Sequence, residues 1–335
     1  MALMSVGDLS KVFHMRRQSA DLKSALDRFG SEATTGRTAD LGRTVRGDFS
    51  PVAGLERSLA QLGGYRIATN EAAAFASALQ ETLGTVGTLA SGGASGLVQA
   101  SMSTSSAVIR TAGMDVKQRF VSAVAALNTR AADRTLLAGA ATTSAAIVPA
   151  EDILVALRAL TAGMTSAASI DSAVVAWFDD PAGYGALAYR GSATPLAPFQ
   201  LGEGEDISLT ITADNSQIRD TLKGLALGAL VGEGALNFDR PEQMTLARRA
   251  GEHMLTADTA ISYLRADLGA VEARIDEAAT RNSAESASLQ LALSAIVSVD
   301  PYEVASALQE TQTQLENLYT ITALMSRLHL VDFLR

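Results

Sequence analysis

The sequence predicts a mainly α protein: a long helical bundle with terminal coiled-coil helices and a small inserted mixed α/β domain. Three observations predict it. A narrow apolar seam at heptad spacing runs through residues 301–335, and a second runs through residues 5–33. Between them, helical periodicity gives way to turn-rich sequence only from about Ala131 to Ala213.

The C-terminal seam is Val304, Leu308, Thr311, Leu315, Leu318, Thr322 and Met325, stepping by four and three, with Leu328 and Phe333 beyond. Gln309, Glu310, Gln312, Glu316 and Asn317 keep the rest of the helix surface wet. A stripe that narrow builds no globular core, and at about 1.5 Å per residue the segment is roughly 50 Å long. An amphipathic helix of this kind is marginal in water without a partner.

The N-terminal seam supplies one. Val12, Met15, Ser19, Leu22, Leu26 and Phe29 again step by three and four, with Arg16, Arg17, Lys23 and Arg28 mostly around them. Ser5 and Asp8 are placed to cap the first turn and complement its dipole. Pairing of the two ends closes the chain on itself. An intramolecular coiled coil and an interface between molecules are both open to these seams.

Gly30, Gly36, Gly42, Gly47 and Pro51, with Thr34-Thr35 and Ser50, form a spacer or hinge after the first helix. Helix resumes at Pro51 behind a Ser50 cap, with Leu55, Leu59, Leu62, Ala68, Ala72, Phe75, Leu79, Leu83 and Val86 on one side. Gly63-Gly64 are expected to bend it, and the run Ser91 to Gly96 to end it. A third helix covers about Thr104 to Arg130. The middle region then holds two short helices, Ala150–Thr161 and Ile170–Phe178, and strand character at Leu187–Arg190 and Ile207–Thr212. Asn215 or Ser216 caps a helix reaching Val231. After a break at Gly232 to Pro241, helix returns with the stripe Leu246, Met254, Ala257, Ile261, Leu264, Leu268, Val271 and Ile275. Asp300-Pro301 marks a joint before the last helix. The expected domains are 1–45 with 296–335 as the terminal coiled coil, 46–135 with 215–295 as the helical bundle, and 136–214 as the outer mixed domain.

Composition narrows the function classes. The 335 residues allow a substantial core, but Ala dominates the apolar fraction and aromatics are only 5%, so helix-to-helix contacts are close. A formal charge of -9 argues against nucleic acid or an anionic membrane as partner. The absence of cysteine removes disulfides, thiolate catalysis and Cys-ligated zinc. No apolar run approaches a membrane span, and Met1 to Ser10 lacks the pattern of a cleaved secretory signal.

No catalytic, cofactor or metal set assembles from this inventory. His14, His253 and His329 each stand alone in a helical segment. Asp179-Asp180 before Pro181, and Glu203, Glu205 and Asp206, read as turns rather than cation sites. Gly92-Gly93-Ala94-Ser95-Gly96 follows a helix and lacks the Lys-Ser/Thr of a phosphate loop. Arg16-Arg17 and Arg248-Arg249 read as exposed helix charges. The expectation is a non-enzyme without cofactor.

Leu268-Gly269-Ala270 followed by Arg274-Ile275 is similar to the Leu-Gly-Ala...Arg pattern of the last inner helix of flagellins. Thr34-Thr35-Gly36-Arg37 resembles the step that ends that family's first helix; the acidic pair that follows there is reduced to Asp48 here. The ending Ser326-Arg327-Leu328-His329-Leu330-Val331-Asp332-Phe333-Leu334 and the step Arg134-Thr135-Leu136-Leu137-Ala138-Gly139 are similar to the hook-filament junction branch. The sequence therefore resembles the flagellin superfamily outside residues 140–213.

That resemblance implies a structural subunit of the bacterial flagellum, joining hook to filament through its terminal helices. It implies as partners other copies in a ring, the first hook-associated protein at the hook tip, flagellin on the filament side and an export chaperone on the C-terminal helix. It also implies an extracellular location reached without a cleaved signal peptide; the net charge has already argued against a nucleic-acid or membrane partner. The assembly residues are then Val12, Met15, Leu22, Leu26, Phe29, Val304, Leu308, Leu315, Leu318, Met325, Leu328 and Phe333. A filament-forming flagellin and a self-contained helical ligand-binding module remain the alternatives.

Overall fold

Long helices carry the computed structural model, which describes residues 6–333 apart from residue 132, with side chains from 10 to 325. The capping readings at Ser5 and Asp8, and the seam readings at Leu328 and Phe333, lie outside the described side chains. In chain order the helices are α1 (Val6–Thr35), α2 (Leu41–Thr44), α3 (Ser50–Ser101), α4 (Ser106–Leu127), α5 (Ala150–Thr161), α6 (Ala167–Asp179), α7 (Ser216–Gly232), α8 (Arg240–Val297) and α9 (Pro301–Phe333). Two small antiparallel pairs join β1 (Arg130–Ala131) to β2 (Arg134–Thr135) and β3 (Phe199–Gly202) to β4 (Glu205–Ile207). The chain is mainly α with a small mixed region.

It forms two compact units, 1–62 with 284–335 and 63–283. In the first, the seams of α1 and α9 face each other. In the second, one core runs from Ala72 to Ala278 and takes in the mixed region, including Leu137, Ile147, Leu154 and Phe178.

Helix α7 lies at the centre of the second unit, buried on all sides from Thr221 to Gly232. A helix apolar all round has no wet face to offer, so it is enclosed by its neighbours. The cation within that buried stretch, Lys223, reaches Asp179 and Asp220, each at 2.7 Å. Asn128, at the end of α4, uses its amide to hold both backbone groups of Ile147, donating to the carbonyl and accepting from the N–H at 3.0 Å each. This fixes the entry into the mixed region.

Two local expectations are corrected. The glycine run 91–96 does not end α3, which also runs unbroken through Gly63-Gly64. The helix continues because Gly92 and Gly93 let α4 and α8 approach: a methyl group on Gly92 would lie 2.6 Å from Arg119 Nη1, and one on Gly93 3.3 Å from Met254 Sδ. Leu187–Arg190 is not a strand. Asp180 accepts from the Ala182 N–H at 2.9 Å and opens a π-helix, Pro181–Ala188, which ends at Tyr189 in a single bridge to Ile147.

The alternation at Ile207–Thr212 does bury Ile207 and Leu209, but pairing stops at Ile207, opposite Phe199. Strand character without a partner strand leaves an irregular segment. Its end is held by the Ala213 N–H donating to the Leu137 carbonyl at 2.9 Å.

Candidate assembly surface

Helix α1 stops because Gly36 takes a left-handed φ of 68°, which glycine adopts without strain, while its N–H donates to the Glu32 carbonyl at 2.9 Å. The chain is then clasped against the start of the last helix. Thr38 N–H donates to the Val297 carbonyl at 2.8 Å, and Val299 N–H to the Gly36 carbonyl at 3.2 Å, around an antiparallel bridge between Arg37 and Ser298. Glu32, buried, accepts from the Ala39 N–H at 3.0 Å.

Asp300 caps α9 by accepting from the Tyr302 N–H at 2.8 Å, and Asp40 caps α2 through the Arg43 N–H at 3.0 Å. Asp48 accepts from the Ser50 N–H at 3.0 Å ahead of α3; hydrogen bonds from the Ser50 hydroxyl and then its N–H hold the Asp48 carboxyl below its ordinary range. The sequence marked Gly36 and Asp300-Pro301 as joints. It gave no sign that they join each other.

From this clasp α1 and α9 run antiparallel. Phe29 and Glu32 border a cavity of about 420 Å³ with Glu303, Val304 and Ala307. At the far end Val12, Met15 and Ser19 border a groove of about 280 Å³ with Leu318, Tyr319 and Thr322. Thr322 Oγ1 lies 4.0 Å from Met15 Sδ, and Lys23 Nζ stands 6.0 Å from the centre of the Tyr319 ring.

Within this pair Val304 and Leu318 are buried, whereas Met15, Leu22, Leu26, Phe29, Leu308, Leu315 and Met325 are only half-buried and Val12 is exposed. Thr311 is buried and Thr322 exposed; each hydroxyl is tied to the carbonyl four residues earlier at 2.7 Å. Two helices therefore cover the seam incompletely. Phe13 at 64%, Ile321 at 49% and Leu324 at 54% exposure add apolar surface outside it.

Several of the residues weighed for chemistry are held in ion pairs. Asp171 on α6 accepts from Arg249 at 2.7 Å and pairs with His253 Nε2 at 2.8 Å, both on α8. Asp179 pairs with Lys223, and Glu205 with Arg281. Arg248 pairs with Glu252 along the same helix at 2.5 Å. His14 is exposed, edge-on to Phe13 with ring centres 6.3 Å apart, and His329 lies outside the described side chains. Among the described residues no group of three or more His, Asp or Glu could hold a metal ion, and no helix is long and apolar enough to cross a membrane.

Tyr184 packs against Phe178 and Trp177, with ring centres 5.4 and 6.2 Å away, and donates to the Ala213 carbonyl at 2.8 Å; burial pushes its phenol up. It is part of the core. A cavity of about 570 Å³ opens in the second unit beside Arg158, Met164, Ile170, Leu230, Glu233 and Phe238.

Residues 253–334 match the family model of the bacterial flagellin C-terminal helical region. No curated protein matches the chain. Among solved structures the chain is similar to Bacillus cereus FlgL, at 14% identity and a TM-score of 0.53, over 72% of this chain and 100% of that one. It is also similar to a protein assigned as a flagellar hook-associated protein of Vibrio parahaemolyticus, at 12% identity and a TM-score of 0.50, over 72% of this chain and 93% of that one. The likeness lies in the fold; the family match covers most of α8 and all of α9.

Proposed function

We propose that this chain, which ends in a flagellin C-terminal helical region and has the fold of the FlgL-type structures, is a hook-associated structural subunit of the bacterial flagellum. The observation that carries the reading is the half-covered seam of α1 and α9. Full burial of a Leu or Phe side chain contributes about 1.5–3 kcal/mol, so each half-buried one leaves roughly 1 kcal/mol to be gained when a further surface covers it. Several in a row on two long helices favour addition to other helices.

In this reading the twelve seam residues named from the sequence are the assembly surface. Other copies in a ring, the first hook-associated protein and flagellin are the neighbours. An export chaperone covers α9 before secretion, and the protein works outside the cell after export without a cleaved signal. The mixed region between residues 136 and 214 is the outward domain. The half-buried seam also supports a structural rather than an enzymatic role.

The test is complementation of a strain lacking this chain. The wild-type chain is expected to restore filaments, and Leu22→Asp or Leu315→Asp to leave flagellin shed into the medium while the unit of residues 63–283 keeps its helicity. Normal motility with either variant would overturn the proposal.

A further inference from the structure

The cavity of about 570 Å³ in the second unit lies between the loop joining α5 to α6 and the turn joining α7 to α8. Met164, Ile170, Leu230 and Leu236 give it apolar walls, and Arg158, Glu233 and Asp239 bring charge to them. Apolar walls with a few polar groups, at this size, are the makings of a small-molecule site.

Glu233 indicates the chemistry of the occupant. Both cations near it sit at one of its oxygens, Lys117 Nζ at 2.7 Å and Arg158 Nη1 at 3.5 Å from Oε1. Its Oε2 is enclosed and, among the described residues, has no hydrogen-bond partner. Buried polar atoms are nearly always paired, and a buried charge left unpaired is the most costly kind. What this carboxylate lacks is a donor.

The other charged groups favour a cation in that place. Asp239 uses Oδ1 to cap α8, accepting from the Glu242 N–H at 3.2 Å, and brings a second negative charge to the cavity. Arg158 is already held, with Nη2 2.5 Å from Glu151 Oε1 and Nη1 turned to Glu233. A cationic head meets two carboxylates here. An anionic head would meet the same two and an arginine that is engaged elsewhere.

The turn that forms one wall is held in a fixed shape. Leu236 takes a left-handed φ of 59°, which side-chain-bearing residues rarely adopt. Gln243, fully buried, donates to Asn237 Oδ1 at 3.1 Å, and Glu242 Oε2 accepts from the Ala167 N–H at 2.6 Å, tying the start of α8 to the start of α6. This shape leaves Phe238 wholly exposed at the edge of the cavity. Backbone strain persists at ligand clamps, and an aromatic face attracts a cation beside it.

We propose that this cavity binds a small primary amine with an apolar body. The ammonium donates to Glu233 Oε2 and faces Asp239, the body lies against Met164, Ile170, Leu230 and Leu236, and the Phe238 ring covers it. The site belongs to the second unit and is independent of the flagellar role proposed from the terminal helices.

The probe is phenethylamine, compared with 2-phenylethanol and phenylacetate, which keep the body and change the head. In calorimetric titrations of the full chain the amine is expected to bind about tenfold more tightly than either. With methyl-labelled methionine it is expected to shift the Met164 signal, assigned through Met164→Leu, and to leave that of the exposed Met102 unmoved. Asp239→Asn keeps the helix cap, because Asn caps as well as Asp, and Phe238→Ala removes a side chain that packs on nothing. Each is expected to weaken the amine several-fold while the chain keeps its helicity. Glu233→Gln is expected to remove the preference for the amine over the alcohol.

Phenylacetate binding as tightly as the amine would make Arg158 the partner of the head and overturn the proposal. Amine binding that ignores Asp239→Asn and Phe238→Ala, or leaves the Met164 signal unmoved, would place the amine elsewhere on an acidic surface and overturn it equally. So would the absence of binding at millimolar amine.

Discussion

The backbones of Gly113 on α4 and Gly232 at the end of α7 meet with no side chain between them. A methyl group on Gly113 would stand 2.3 Å from the Gly232 nitrogen, and one on Gly232 2.4 Å from the Gly113 carbonyl carbon. Backbone cannot move aside as a flexible side chain can. Ala at either position gains up to about 1 kcal/mol of helix propensity but forces α4 and α7 apart, and overpacking of this kind costs about 3 kcal/mol. Gly113→Ala is expected to lower the urea midpoint clearly. A midpoint at or above wild type would show that the two helices separate freely.

Gly269 gives the opposite case. It sits inside α8 with nothing within 4 Å of an added methyl group. Gly269→Ala is expected to stabilise the chain by about 0.5–1 kcal/mol, through helix propensity and a smaller unfolded ensemble. If the glycine serves close approach in an assembly, the same variant folds more stably and assembles less well, so filament restoration is scored beside the urea midpoint.

The terminal seams were legible because a three-and-four period survives whatever the chain packs against. Val304 to Met325 and Val12 to Phe29 needed no knowledge of their surroundings to be placed on helices. The glycine run from Gly92 to Gly96 was read as a helix end because its partners, Arg119 and Met254, lie far along the chain and close approach leaves no local signature. Leu187–Arg190 was misplaced for a related reason: a cap from Asp180 and a bridge from Ile147 decide its form. At the assembly surface the seam residues could be named. The clasp of Arg37 on Ser298 could not, since backbone pairing across the chain carries no side-chain pattern.

The acid limb of stability depends in part on a cluster of four side chains. Lys117 Nζ lies 2.7 Å from Glu233 Oε1 and 3.5 Å from Glu151 Oε2, and Arg158 Nη2 lies 2.5 Å from Glu151 Oε1. The Arg158 hydrogen bond lowers the Glu151 carboxyl below its ordinary 4.5, and the Glu233 hydrogen bond raises Lys117 above 10.5. A lowered carboxyl stabilises the fold above its unfolded value and loses that share as pH falls through the folded one. A raised ammonium keeps its share until pH rises through its folded value. Glu151→Gln is therefore expected to flatten the urea-midpoint profile below pH 4.5 and leave its slope at neutral pH unchanged. An unaltered acid limb would show that this exposed pair is fully screened.

The two units are expected to open at different free energies. Leu222, Leu225, Leu227 and Val231 on α7 are fully buried, whereas Leu22, Leu26, Leu308 and Leu315 are half-covered. Local opening follows buried apolar contact, so amides of residues 12–33 and 304–325 should exchange at least roughly a hundredfold faster than those of 218–231, a gap of ~3 kcal/mol. Leu22→Asp should raise exchange in both α1 and α9, because each helix is the other's main cover, without changing α7. Equal protection of the terminal helices and α7 in the free chain would mean that α1 and α9 already satisfy each other. The free energy reserved for covering their seams in an assembly would then be too small to drive it.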